Sequence, residues 1–228
     1  MPVDIETPDI GSLNEIVRTL FGESAQTVDI VILLTILTLL PSILMMLTGF
    51  TRIIIVLSFV RQALGMQQTP PNQILIGLAL FLTFFVMQPV FERVYEDAYI
   101  PFTEGQISQE EFLEEAMDPI RTFMLDQAID SDINFFINLS EHEYIDDESI
   151  PTSILIPAFI TSEIKHAMFI GFMIYIPFIV IDMIVASTLM SMGMMMLPPA
   201  MISLPFKVLL FVMVDGWQLI IGSLINTF

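Results

Sequence analysis

The chain has 228 residues, of which 55% are hydrophobic, and its mean hydropathy is +0.79; 26 acidic side chains stand against 7 basic ones, a formal charge of −19. Soluble domains are about 45–50% apolar, so the excess, gathered in long runs, points to lipid or to a very apolar assembly. So few basic groups cannot neutralise a row of phosphates, which excludes nucleic acid as a partner. With no cysteine in the sequence, disulfides, thiolate chemistry, zinc fingers and iron–sulfur sites are excluded as well.

In chain order, residues 1–29 form an acidic tail with Asp4, Glu6, Asp9, Glu15, Glu23 and Asp29 against Arg18. No basic segment precedes an apolar core here, and a signal peptide is expected to have been removed from a precursor. Residues 30–91 read as a first apolar helical hairpin. One limb runs from Ile30 to Val60, interrupted at Thr48–Arg52, and the other from Ile74 to Phe91. Each apolar stretch approaches the ~20 residues a span needs, and backbone groups in lipid must bond internally, so the limbs should be helices.

Residues 92–150 hold most of the acids and read as a small soluble helical domain inserted between hairpins. Ser108 followed by Glu111 has the spacing of a capping box. Phe112, Ala116, Ile120, Phe123 and Met124 then recur at helical spacing, and Pro119 is expected to kink or break that helix. A second short apolar face holds Ile133, Phe136 and Ile137. The run 141–148 reads as a solvated acidic loop; His142 within it is a weak metal candidate, a lone imidazole with no repeated ligand pattern.

Residues 151–228 read as a second apolar hairpin. Its limbs are Ala167–Met190, broken by Pro177 and Asp182, and roughly Leu204–Ile225, carrying Lys207 and Asp215. Both inner turns place a diproline before the return helix, Pro70-Pro71 and Pro198-Pro199, where a missing N–H costs nothing. The placement hints at an internal repeat, although the other side chains do not match. Arg52 and Arg61 mark the first turn as cytoplasmic, which puts the acidic segment and both termini outside.

No phosphate loop, nucleophile elbow or zinc-protease motif is present, and the expectation is a protein that is not an enzyme and takes no cofactor, metal or catalytic residue. Glu163 and His166 lie i,i+3, the spacing of a surface ion pair. Charges inside apolar runs carry more information because they are costly and usually paired. Asp182 and Lys207 lie almost equally far from the second turn, so they form a candidate buried pair; the alternative is a Lys207 that snorkels to the interface. Arg52 has no acidic partner within its own hairpin and is expected to bond carbonyls freed by nearby breaks. Met190, Met192, Met194, Met195 and Met196 crowd the second tip. Methionine suits a surface that must repack, and it also serves as ordinary apolar filler.

Several runs are similar to one family: Phe50-Thr51-Arg52-Ile53, Pro70-Pro71-Asn72-Gln73 through Phe85, Pro157-Ala158-Phe159-Ile160-Thr161-Ser162-Glu163, Gly193-Met194-Met195-Met196-Leu197-Pro198-Pro199, Leu204-Pro205-Phe206-Lys207 and Val214-Asp215-Gly216-Trp217-Gln218. Over residues 30–228 the chain resembles the FliP family of flagellar biosynthesis proteins, and less closely its injectisome counterpart, the SctR family. The resemblance implies an all-α fold of membrane-associated hairpins with Pro-broken helices. It implies a core subunit of the type III protein export gate, in a pentameric ring with FliQ and FliR and beside other export apparatus proteins. Unfolded flagellar subunits would pass through it. The place implied is the bacterial cytoplasmic membrane at the flagellar basal body, with much of the assembly lifted to the periplasmic side. Met194, Met195 and Met196 would form the pore gasket. The competing readings are a stand-alone multispanning transporter or ion channel, and a membrane scaffold with a soluble binding domain.

Overall fold

A computed structural model describes residues 27–66, 68–140, 150–194 and 197–228. The acidic tail, the loop with His142, and Met195 and Met196 therefore lie outside the described residues. Those that are described form helices and no strands: α1 (Thr27–Leu47), α2 (Phe50–Ala63), α3 (Asn72–Arg93) with a π-helical continuation Val94–Tyr99, α4 (Ile100–Thr103), α5 (Gln109–Gln127), α6 (Asp130–Leu139), α7 (Thr152–Ser191), α8 (Pro199–Met213) and α9 (Gly216–Ile225). The chain divides into two units, Met1–Leu44 and Met45–Phe228. In the first, α1 runs through Pro41 and exposes Leu34, Leu37, Leu39 and Ile43.

In the second unit α2 is the centre. An apolar helix of 14 residues is too short to span a bilayer and has the length of a buried core helix. Ile53, Val56, Leu57, Val60 and Ala63 are fully enclosed, packed against Leu75 and Ala79 of α3, Ala167 and Phe178 of α7, Phe211 of α8 and Leu224 of α9. Gly171 lets α7 approach closely, because a Cβ there would collide with the Phe59 ring. The first apolar stretch is therefore not one continuous helix. It breaks at Thr48-Gly49, and its second half is interior.

The length of α7, 40 residues, is about 60 Å, twice the hydrocarbon thickness. Its two halves differ. Ile154, Leu155, Ala158 and Phe159 are buried with Met87 and Val90 of α3, Phe123 and Met124 of α5 and Ile133 of α6. Further on, Phe169, Phe172, Met173, Met183 and Ile184 stand exposed. By length and composition two helical segments suffice to cross a membrane, Asn72–Thr103 and Thr152–Ser191, and two pairs qualify only as bent ones, Pro41–Leu47 with Phe50–Ala63 at 85° and α8 with α9 at 64°.

The capping box forms as its spacing indicates: Glu111 N–H donates to Ser108 Oγ at 3.3 Å and Ser108 N–H donates to Glu111 Oε2 at 2.7 Å. These bonds hold the Glu111 carboxyl below its ordinary value. Pro119 lies inside α5 without ending it. The acidic segment does not close a core of its own among the described residues, for its apolar faces complete the cluster on α7.

One polar joint docks α6. Ser162 Oγ accepts from Ile129 N–H at 2.9 Å and donates to Asp132 Oδ2 at 2.8 Å, and Lys165 pairs with the other Asp132 oxygen. Asp132 is 4% exposed. Burial pushes its carboxyl up, but the bonds from Lys165 and Ser162 and the charges of Lys165 and His166 outweigh that and hold it below the ordinary 3.8. A carboxyl depressed by folding stabilises the fold above its unfolded value and stops doing so as pH falls through the folded one. Asp132→Asn should cost about 1–3 kcal/mol at neutral pH and flatten the loss of thermal stability below pH 4. Melting of the detergent-solubilised protein between pH 2 and 7 measures both.

Candidate functional site

Two charged constellations lie at the two ends of α2. At its start, Arg52 is 1% exposed and Glu163 0%. The guanidinium binds Glu163 with two nitrogens, Nε to Oε2 at 3.2 Å and Nη2 to Oε1. Nη1 donates to the Thr227 carbonyl at 2.8 Å, and Nη2 donates to Gln127 Oε1 at 3.0 Å and lies 3.1 Å from His166 Nδ1. The Phe228 ring covers the cation, 4.1 Å from the guanidinium carbon, and Gln127 Nε2 donates to the Phe228 carbonyl at 3.1 Å. A planar fork of five donors suits such a cluster as lysine would not.

This cluster corrects three expectations. Arg52 does not flank the first turn. It lies at the far end of α2, so of the two charges read as topological signals only Arg61 is at the tip, where it bonds Asn72. The partner of Arg52 is Glu163, an acid of the other hairpin, invisible to a search within its own. Glu163 and His166 do meet at i,i+3, Nδ1 4.0 Å from Oε1, but not at the surface: Glu163 is buried and its hydrogen bonds come from Arg52. The one sequence signal available was the rarity of an uncompensated Arg inside an apolar run.

At the other end, Lys207 and Asp182 are brought together, Nζ to Oδ2 at 2.6 Å. Ser203 Oγ donates to Asp182 Oδ1 at 2.6 Å, and Lys207 Nζ donates to the Ala63 carbonyl at 3.2 Å. The ammonium thus caps the C-terminus of α2, where carbonyls lack partners and the helix dipole is negative. Lys207 is 5% exposed, which rules out snorkelling to water. Among the described residues no buried side-chain nitrogen or oxygen lacks a partner.

The fourth apolar stretch is not continuous. Asp215 adopts a left-handed conformation, φ 50°, between α8 and α9, and Gly216 leaves room for the Phe211 ring. Trp217 lies edge-on to Phe211, 5.4 Å between centroids. This bend returns Thr227 and Phe228 to Arg52.

The two hairpin tips share one construction. Gly65 and Gly193 have φ of 77° and 73°. Each closes its helix with a paired cap, Gly65 to Gln62 and Met66 to Arg61, then Gly193 to Met190 and Met194 to Leu189, the pattern that satisfies terminal carbonyls. Five residues beyond each glycine stands the diproline; Pro71 caps α3, and Pro198 and Pro199 begin α8. Met194 is exposed.

Helices of this length and composition, joined by buried ion pairs, define an α-helical membrane protein. The FliP family model matches residues 33–224. The flagellar biosynthetic protein FliP of Pectobacterium carotovorum is 56% identical over 89% of this chain and 79% of its own length. That of Bacillus subtilis is 52% identical over 90% and 93%. That of Buchnera aphidicola from Acyrthosiphon pisum is 52% identical over 88% of this chain, which spans about half of it, 53%. The chain belongs to the FliP family of flagellar biosynthesis proteins.

Two outcomes follow. Arg52→Ala leaves the Glu163 carboxylate buried alone, at about 3–5 kcal/mol, and Arg52→Lys should fail to restore it because the fork is lost. Detergent-resistant folding and swarming of a complemented strain both report this. For the second pair, Asp182→Ala strands a buried ammonium, whereas Lys207→Met leaves an aspartate that is 37% exposed on its side chain and still bonded to Ser203. The first should therefore cost more stability than the second. Exchanging the two should restore little, since it would set a carboxylate against the Ala63 carbonyl; equal costs in melting assays would sink this reading.

Proposed function

We propose that this chain is a core subunit of the flagellar type III protein export gate, a protein-conducting channel rather than an enzyme. It would assemble with copies of itself in a pentameric ring and with FliQ and FliR. In this reading it lies in the bacterial cytoplasmic membrane at the basal body, with the acidic helices on the periplasmic side, and unfolded flagellar subunits pass along the ring axis. Family membership supports the flagellar role. The observation that carries the channel role is the second hairpin tip. It is short, uncharged and rich in methionine, and it stands on two limbs locked together by Asp182, Ser203 and Lys207.

In a closed ring each copy presents the same tip at the same height. A dry apolar constriction excludes ions, and methionine yields to a polypeptide of any sequence and repacks behind it. The pores of stand-alone transporters bring polar groups together at mid-depth. Here the Arg52 and Lys207 clusters spend their hydrogen bonds on holding α2. Replacing Met194, Met195 and Met196 together with alanine should leave a complex of unchanged subunit composition by native mass spectrometry while raising passive ion flux, read as loss of membrane potential on expression. A triple variant as tight as the parent returns these methionines to packing, and a parent that is monomeric with and without its partners overturns the gate reading.

A further inference from the structure

The face of α3 turned away from the core carries exposed rings through its π-helical extension. Phe81, Phe85, Phe91 and Tyr95, with Glu92 and Glu96, line a groove of about 520 Å³. An exposed row of large rings is characteristic of an interface centre, and two carboxylates at one end ask for a cation. We propose that this groove is the subunit-to-subunit contact of the ring, filled by a second copy of this chain whose Arg93 is seated on Glu92 and Glu96. The inference rests on the ring reading and names its surface.

Height and charge select the occupant. In a cyclic assembly, whatever meets Glu92 and Glu96 lies at nearly their own height on the next copy. The basic side chains among the described residues are few. Arg52 and Lys207 are buried in the clusters above. Arg61 is at the hairpin tip, bonded to Asn72. Arg121 donates to the Ile150 carbonyl and to Thr152, and Lys165 is paired with Asp132. Arg93 remains: it is exposed and forms none of the ion pairs found among the described residues. It follows Glu92 in sequence and so points about 100° round the helix from it. The acids then face one neighbour while the base turns toward the other, the head-to-tail geometry that closes into a ring. An anionic lipid headgroup, by contrast, would meet two carboxylates.

The chain has no cysteine, so cross-links between its copies arise only from the introduced ones. Copies carrying only Glu92→Cys and copies carrying only Arg93→Cys are co-expressed with the partner subunits and treated with a short bis-maleimide. The expected product is a homodimer band from the mixture and none from either variant alone. A band from Glu92→Cys alone means a two-fold contact and overturns the proposal. A band with a different subunit assigns the groove to that subunit, and labelling of Phe85→Cys that is equal in monomer and assembly assigns it to lipid. Assembly without the mixed band refutes this surface while leaving the ring intact; absence of any oligomer in the parent refutes the ring itself. Should the cysteine variants not assemble, charge reversal decides. Glu92→Lys with Glu96→Lys should lower the oligomeric fraction about tenfold or more, and Arg93→Glu added to it should restore assembly; no rescue overturns the pairing.

Discussion

A guanidinium enclosed to 1% exposure must find partners for five donors or unfold its surroundings, and most of this architecture is the set of parts that supply them. Glu163 comes from α7, Gln127 from the end of α5, and Thr227 from the segment after α9. Each requires its own geometry. Helix α7 must begin well before its apolar stretch. Helix α5 must run through Pro119 to reach the cluster. The last apolar segment must turn back at Asp215. A ring placed over the cation adds a contact that strengthens in a dry setting, and Gly49 leaves the space that the Phe228 ring occupies.

The second cluster completes the constraint. With Arg52 tied at one end of α2 and the Ala63 carbonyl held by Lys207 at the other, the central helix is fixed in register against α7 by charge at both ends. Between them lies only apolar packing, which is tolerant of sliding. Buried pairs contribute less to stability than well-packed apolar groups would, and their best attested use is to specify register.

The distribution of exposure follows from the same division. Polar joints and shared cores concentrate around α2, the first half of α7 and the acidic helices. The second half of α7, α8 and the outer face of α3 keep large apolar side chains exposed. A chain that finished its own core there would have no apolar face left to offer a membrane.

The sequence by itself determined the local structure. Capping residues, helical spacing, the interruption at Thr48–Arg52, the two diproline turns and the family are all carried by residues close together in the chain. It also brought Asp182 and Lys207 within reach of pairing, because two limbs of one hairpin are related by counting from their turn. Only the tertiary structure decided what Arg52 does, because Glu163 lies 111 residues away on the other hairpin, and no periodicity links separate hairpins. It alone decided that α2 is interior, since an apolar run reads the same whether protein or lipid surrounds it. The bend at Asp215 was equally hidden. A left-handed aspartate leaves no mark on hydropathy, and its reason, returning Thr227 to a buried cation, exists only after the chain has folded.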